Sequence, residues 1–329
     1  MPFLLKKNSL AVYAILAIVF AVTTRVPMLY AQVSIEQLPE KTVFNDFVVG
    51  PGKIEVDLSP GESRTFDLTI ANRLGTDKTF LISEEDFKGS EDPAQTVVLL
   101  GDDRGPYSLK DYINPATTSI TLAHAERARI AVTISIPADA QPGGLYGSVI
   151  VGTATKLGVA DATGGTVGSS PIVTRIGTLF FVRVKGPVDT DGKLVQFTLA
   201  GGHSVLWGAS PMSFDLLYKN TGSVNVDPYG TITVTNLLGS QVGSIDVEPW
   251  FALPSSLRFR EVAWSPQFLF GRYVAHASIN RGYGSTTDEM DVAFWVIPWK
   301  IILAVLLALA ALIAIVRWAL SKFSIVTKK

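Results

Sequence analysis

Polar and apolar residues alternate along several short segments of this chain. Ile54, Val56 and Leu58 share one face of residues 53–58, and Lys53, Glu55 and Asp57 occupy the other. The same alternation recurs over residues 66–71 and 129–136, and apolar residues dominate 146–152 and 179–184. Pro-Gly turn signals at 51–52, 60–61 and 142–143 separate these segments. A period of two between turns is typical of half-buried antiparallel strands, so the sequence predicts an all-β fold.

The pattern occurs twice, which indicates two modules in tandem. Phe214–Asn220 can be aligned with Phe66–Asn72, and a Gly follows each segment within three residues. Gly-x-Tyr opens a later strand in each half, at 144–146 and 271–273. A repeat this long means two domains rather than a solenoid. We predict two Ig-like antiparallel β-sandwiches, residues 32–186 and 187–293, the first with a flexible Gly/Thr-rich hairpin at 156–171.

Three local predictions complete the first module. Phe44–Val49 is predicted as its first strand. Glu84–Pro93 is acidic and rich in turn formers, so it is predicted to be a solvated loop. Tyr107–Ile113 is predicted to hold one helical turn before Pro115.

A long apolar run lies near the C-terminal end. No charge falls between Lys300 and Arg317, and the apolar run extends back to residue 294. This length suits a transmembrane helix, predicted over residues 294–318. Trp295, Trp299 and Trp318 would anchor it in the two headgroup layers, with Lys300 and Arg317 reaching outward. The basic tail 319–329 would be cytoplasmic and the modules extracellular; the alternative is a buried core helix.

Residues 1–31 are predicted to be a signal peptide. Lys6 and Lys7 precede the apolar run Leu10–Val22, and Ala31 offers a cleavage position before Gln32. Leu29 fits poorly three residues before that cut, so an uncleaved N-terminal anchor is the alternative. Either form exports the modules.

The composition of the chain argues against several classes of function. The formal net charge is −1 with no basic run outside the tail, which argues against nucleic acid as a partner. Cysteine is absent, so disulfides, thiolate metal ligands and thiol nucleophiles are excluded. The absence of Asn-x-Ser/Thr sequons after residue 31 favours a bacterial or archaeal envelope.

No motif in the sequence indicates catalysis or a cofactor. The three histidines, at 124, 203 and 276, lack the spacing of a metal site. Asp189-x-Asp191-Gly192 resembles the start of a calcium loop, but Ala200 occupies the position of the bidentate Glu. We therefore predict a protein that is not an enzyme and has no cofactor and no metal site.

Aromatic residues of the second module suggest a binding surface. Trp250 and Phe251 lie between Pro249 and Pro254, and Trp264 and Phe268 flank Pro266. Exposed aromatic side chains on loops are effective protein anchors, so these four are the predicted partner-binding residues. The alternative is that the rings close the ends of the sandwich core.

Several short motifs, in their order along the chain, resemble one family. They are LSPGE at 58–62, QPGGLYG at 141–147, RIG at 175–177, NTG at 220–222, PYG at 228–230 and LFGRY at 269–273. Together with the architecture, they make the chain similar to the WxL-interacting proteins of bacterial cell surfaces. The resemblance implies peptidoglycan binding through the first module and binding of a surface or host protein through the second.

The predicted function is therefore a membrane-anchored adhesion or scaffold protein. It would contact peptidoglycan, a cell-surface protein and the lipid bilayer, and the tether would raise the local concentration of weak contacts. The alternative is an accessory chaperone-like subunit of a secretion or pilus system, which would pair exposed strand edges with a client.

Overall fold

The computed structural model describes residues 33–153, 174–208, 211–266 and 268–322. The predicted signal peptide 1–31 and hairpin 156–171 lie outside the described residues, as do residues 323–329 of the predicted tail. Two Ig-like β-sandwiches follow one another and lead into one C-terminal helix. The all-β prediction is confirmed.

The first module is built from two sheets. Its strands are β1 (Val33–Gln37), β2 (Asp46–Gly50), β3 (Lys53–Leu58), β4 (Ser63–Arg73), β5 (Lys78–Lys88), β6 (Val98–Leu99), β7 (Ile113–Pro115), β8 (Ser119–Leu122), β9 (Glu126–Ser135), β10 (Gly143–Thr153) and β11 (Arg175–Val184). Sheet A has the order β1-β9-β4-β2, with β7 also on β9. Sheet B has the order β3-β11-β10-β5-β6, with β8 also on β5. Strand β3 is parallel to β11, whereas the other pairs are antiparallel.

The second module also has two sheets. Its strands are β12 (Gly192–Leu199), β13 (Val205–Leu206), β14 (Met212–Asn220), β15 (Tyr229–Asn236), β16 (Gln241–Val247), β17 (Ser256–Trp264), β18 (Gly271–Asn280) and β19 (Thr287–Val296). Sheet C has the order β12-β14-β17, and sheet D has the order β13-β19-β18-β15-β16. Helix α1 (Trp299–Lys322) follows β19 after two residues.

The alternating apolar residues form the two cores. Leu68, Ile70, Ile130, Val132 and Phe180 are fully buried between sheets A and B. Phe214, Leu216, Tyr218, Ile232 and Phe294 are buried in the same way between sheets C and D. Burial of such side chains is the main term that stabilises each sandwich.

The aligned segments of the two modules have the same local structure. Asn72 and Asn220 are both fully buried at the ends of β4 and β14. The amide of Asn72 donates to the carbonyls of Thr76 and Leu122, both at 2.9 Å, and its Oδ1 accepts the Leu74 N–H at 3.0 Å.

Asn220 repeats this pattern in the second module. Its amide donates to the Val224 and Ala252 carbonyls at 2.8 Å, and its Oδ1 accepts the Gly222 N–H at 2.9 Å. A buried amide with all these partners avoids the penalty of an unsatisfied polar group. The sequence repeat therefore corresponds to the same structural feature in both modules, a buried and fully hydrogen-bonded asparagine at the end of a strand.

Two predicted boundaries are wrong. Helix α1 begins at Trp299 and not at residue 294, because Phe294 and Val296 are buried in the core as part of β19. The helix also continues to Lys322, past the predicted boundary at 318.

The predicted loop Glu84–Pro93 begins too early, because β5 extends to Lys88. Asp86 is fully buried there and accepts the N–H groups of Gly105 (3.0 Å), Leu109 and Lys110 (both 2.9 Å). The predicted helical turn is present as a 3₁₀ turn at Lys110–Tyr112, and the predicted strand Phe44–Val49 corresponds to β2.

Helix α1 is long and apolar enough to cross a membrane. Its mean hydropathy is 2.8, and none of it is buried against the rest of the chain. A core helix would be covered, so the alternative of a buried core helix is wrong. Trp299 and Trp318 are nineteen residues apart, or about 28 Å at 1.5 Å per residue, close to the thickness of a hydrocarbon core. Lys300 and Arg317 are exposed beside them.

Candidate partner-binding surfaces

The four predicted partner-binding aromatics do not form one surface. Trp250 is only 4% exposed and packs edge-on against Tyr218, with ring centroids 6.4 Å apart. Trp264 is half-buried, stacks on Phe214 and covers Gly243, where an added Cβ would lie 2.6 Å from the indole. The prediction that these two are exposed anchors is therefore wrong, and the alternative of core closure describes them.

Phe251 lies at the seam between the two modules. Its ring contacts Phe181 of β11 edge-on, with the centroids 5.1 Å apart. Lys53 places its ammonium 5.2 Å from the Phe251 centroid and 5.4 Å from the Phe181 centroid. A cation between two ring faces adds to the apolar contact.

Further contacts hold the seam. The Tyr146 hydroxyl accepts the Asn225 N–H at 2.7 Å, and burial raises the pKa of the Tyr146 phenol. Arg258 donates from Nη1 to the Thr96 hydroxyl at 2.6 Å, and the Leu257 N–H donates to the Ser90 carbonyl at 2.9 Å. Phe87, Tyr146, Phe181 and Leu253 form a separate buried apolar cluster from both modules. The two sandwiches therefore share an ordered apolar and polar interface.

The seam is bordered by a cleft of about 550 Å³. Loops of both modules line it, including Lys88–Glu91, Tyr107 and Pro254–Ser255. On another side of the seam, a smaller polar cleft contains Glu55, Arg183 and Asp227. Burial raises the pKa of Asp227, Glu55 raises it further, and Lys53 lowers it.

Phe268 alone among the four is largely exposed, at 57%. It lies between β17 and β18, at the opposite end of the second module from the seam, because Met212 pairs with Trp264 there and Asn220 pairs with Ser256 near the seam. Trp250 and Phe251 are therefore separated from Trp264 and Phe268 by the length of β17.

Two of the three histidines make structural contacts. His124 Nδ1 accepts the Gly75 N–H at 3.1 Å, and His276 Nδ1 lies 2.6 Å from Asp291 Oδ1 on an exposed strand pair. The Asp191 carboxylate accepts the Thr221 hydroxyl at 2.6 Å, which braces the turn beside it. Across the described ranges, no three His, Asp or Glu side chains are grouped so that they could hold a metal ion.

Strand β11 has an edge that its neighbours leave open. Strand β3 pairs only with Leu179–Val184, so among the described residues nothing pairs with Arg175–Thr178 on that side. The Leu179 N–H points to this side, since it donates to the Gly52 carbonyl at 3.0 Å. Strand geometry directs every second residue the same way, so the N–H and C=O groups of Arg175 and Gly177 face the open edge.

One position on this edge carries no side chain. Gly177 presents no side chain, and Ile150 of β10 fills the space beside it: an added Cβ would lie 2.5 Å from Ile150 Cδ1. Glycine in a strand often marks a site where another backbone approaches closely. Strand β10 pairs with the opposite side of Arg175–Thr178, so a strand added here would extend an existing sheet in line with β3.

The edge strand β17 is protected by contrast. Arg260 has the same parity as buried Val262, so a charged side chain points toward the inner face. The start of β17 is already bonded to Ser90 of the first module. Inward-pointing charges and covered edges are common protections against strand addition. We take the first half of β11 as the candidate strand-pairing site because its outward backbone groups lie in line with β3, and Gly177 is its one signal in the sequence.

Comparison with known proteins shows no family for this chain. No protein-family model and no curated protein sequence matches the chain. One similar solved structure is a chaperone–tip adhesin complex of CFA/I fimbriae, at 10% identity and a TM-score of 0.35, over 77% of this chain and 99% of that one.

Other similar structures are also chaperones. The Pseudomonas aeruginosa CupB2 chaperone has 11% identity and a TM-score of 0.33, over 75% of this chain and all of that one. The E. coli chaperone DraB has 13% identity and the same TM-score, over 75% and 98% of the two chains. These TM-scores are too low for the likeness to bear on the fold, the partners or the activity of this chain.

Proposed function

We propose that this chain is a membrane-tethered, chaperone-like binding protein that captures an extended segment of an exported protein by strand addition. The observation that carries the proposal is the open edge at Arg175–Thr178, where backbone groups of β11 face outward in line with β3. Main-chain hydrogen bonds to such an edge give affinity, and side-chain contacts add specificity. The role requires no catalytic group and no cofactor.

The arrangement of the modules supports this role. The seam lies at one end of β14 and β17, and helix α1 begins at the other end of the second module. Nine strand residues separate these ends, or about 30 Å at 3.3 Å per residue. The open edge belongs to the outer module, so the helix would hold the client site at this distance from the bilayer, with the modules on the exported side.

The adhesion function stays a second prediction. Peptidoglycan binding by residues 32–186 is implied by the resemblance to WxL-interacting proteins, and no contact among the described residues bears on it. Both functions place the modules outside the cell on one tether, and they differ in the chemistry of the partner. A single experiment can therefore separate them.

The test uses the absence of cysteine in the chain. Thr174 is exposed beside the edge, so T174C can carry a photoactivatable crosslinker in the full chain, expressed in cells that make it. G177P removes the outward N–H of residue 177, which makes no hydrogen bond to β10. G177A is the matched control, because it also adds a Cβ at this position but keeps the N–H. We expect one client to crosslink through T174C and through T174C with G177A, but not through T174C with G177P.

The partner assay runs in parallel. Sedimentation of the same variants with purified peptidoglycan measures the adhesion function. Saturable binding to peptidoglycan, together with no client crosslinked at T174C, would contradict the strand-pairing proposal and favour adhesion. Equal crosslinking by G177P and G177A would also contradict it, provided that thermal unfolding shows all variants folded.

A further inference from the structure

The end of the second module next to helix α1 gathers three connections. Gly271 pairs with Val296 and Asn236 pairs with Tyr273, so the β15–β16 and β17–β18 connections lie where β19 ends. Met212 pairs with Trp264, which brings the connection between β13 and β14 to the same end. We name this surface, formed by residues 207–208, 211, 237–240, 265–266 and 268–270, the helix-side face.

The helix-side face exposes large apolar side chains. They are Trp207 (68% exposed), Leu237 (70%), Leu238 (87%), Phe268 (57%) and Phe270 (61%). Isolated exposed apolar residues are ordinary, but five on the adjoining connections at one end form a patch of the kind that marks an interaction site. Leu237 and Leu238 occupy a hairpin turn, where polar residues are usual.

The helix-side face also lacks charge. Its three connections contain no Asp, Glu, Lys or Arg. The nearby cations are at its border: Arg272 pairs with Trp295 in the sheet, and Lys300 is the second residue of α1. Apolar and aromatic side chains bordered by cations match the boundary between acyl chains and phosphate headgroups.

The connection to the helix is short and hydrogen-bonded. Ile297 and Pro298 alone separate β19 from α1. The Trp295 N–H donates to the Ser204 carbonyl at 2.8 Å, and the Ile297 N–H donates to the Leu206 carbonyl at 2.9 Å. Trp207 therefore follows directly on a strand that is bonded to the last residues before the helix, and the face is held at the level of the first helical turn.

We infer that the helix-side face is seated in the interfacial layer of the same bilayer that α1 spans. The position of the face makes the membrane its expected partner, because any surface held at the first turn of a transmembrane helix lies at headgroup level. Seating would bury the five apolar side chains and fix the orientation of the second module on the membrane. This inference rests on the membrane anchoring in the proposed function.

The test is a depth measurement on single-cysteine variants of the full chain. L238C and F270C place a spin label on the face, Y229C places one at the exposed seam end of β15, and L309C places one in the middle of α1. Each variant is reconstituted in vesicles of phosphatidylcholine and phosphatidylglycerol. Collision rates are then measured with oxygen, which partitions into lipid, and with a water-soluble nickel chelate. Thermal unfolding confirms that each labelled variant is folded.

We expect a ratio of oxygen to nickel collisions that is severalfold higher at L238C and F270C than at Y229C, and highest at L309C. Ratios at L238C and F270C equal to that at Y229C, with L309C in hydrocarbon, would overturn the inference and leave the anchoring intact. A water-exposed L309C would overturn the anchoring itself. Low collision rates with both reagents, together with dipolar broadening between face labels, would assign the face to a second copy of the chain and also overturn the inference.

Discussion

The buried asparagines show how a single residue closes each module. Asn72 and Asn220 each bridge the end of one strand to two carbonyls and one N–H of residues outside that strand. An apolar residue of similar size would leave these backbone groups buried without partners. The aligned asparagine therefore has the same physical role in both halves.

Replacement of either asparagine by alanine should destabilise the protein. We expect N72A or N220A to lower the free energy of unfolding by about 3 kcal/mol, because each leaves several buried backbone groups unsatisfied. Urea unfolding of the full chain in detergent measures the change. N114A is the control, since Asn114 is exposed. If N72A or N220A lost less free energy of unfolding than N114A, water would be replacing the side-chain amide as the partner of the backbone groups.

Asp227 should make the seam sensitive to pH. Burial, followed by the charge of Glu55, raises its pKa in the folded chain. A raised carboxyl pKa means that the folded state holds this proton more tightly than the unfolded state does. The stabilisation is therefore complete below the unfolded pKa and is lost as pH rises through the folded pKa.

D227N should remove this dependence. We expect the variant to be more stable than the wild-type chain at neutral pH and to change less between acidic and neutral pH. Thermal unfolding at a series of pH values checks this, with D246N as the control, because Asp246 is exposed on an edge strand and does not line the polar cleft that contains Asp227. A parallel pH dependence of D227N and the wild-type chain would contradict the assignment.

At the scale of elements, the strands whose polar and apolar residues alternate regularly could be predicted from the sequence. A strand end that is held by residues far along the chain could not. Residues 53–58 and 129–135 are strands as predicted. A half-buried strand has one apolar face and one polar face, so its residues alternate in the sequence. The acidic run at 84–86 indicates a solvated loop, yet it continues β5. Asp86 is paired there with N–H groups of residues 105, 109 and 110, and no local pattern records those contacts.

The aromatic residues illustrate the same limit for the site. Trp264 on its proline-flanked segment resembles an exposed anchor, but Gly243 on β16 of the facing sheet leaves room for the ring to pack against that sheet. The edge at Arg175–Thr178 is open because β3 begins only at the level of Leu179. Contacts between strands that are distant in the chain decide both features, and a single sequence does not fix how such strands pack or which register they adopt.

At the scale of the whole molecule, the seam determines whether the two modules act as one body. Gly89 of the first module lies against the second, where an added Cβ would be 2.5 Å from Ser256 Cβ and 2.9 Å from Leu253 Cβ. Closely packed contacts of this kind transmit strain, because neither side can move into empty space. The proposed height and orientation of the β11 edge depend on this contact.

G89A should therefore loosen the seam without unfolding either sandwich. Overpacking by one methyl group typically costs about 1 to 3 kcal/mol, and separation of the modules relieves it. We expect faster amide hydrogen exchange at Leu257 and Asn225, whose N–H groups donate across the seam, and unchanged exchange in β4 and β18. G52A is the matched control, since nothing lies within 4 Å of a Cβ at Gly52. If G89A left exchange at both amides unchanged, the seam would be able to absorb a methyl group, and the contact at Gly89 would not be what fixes the two modules relative to each other.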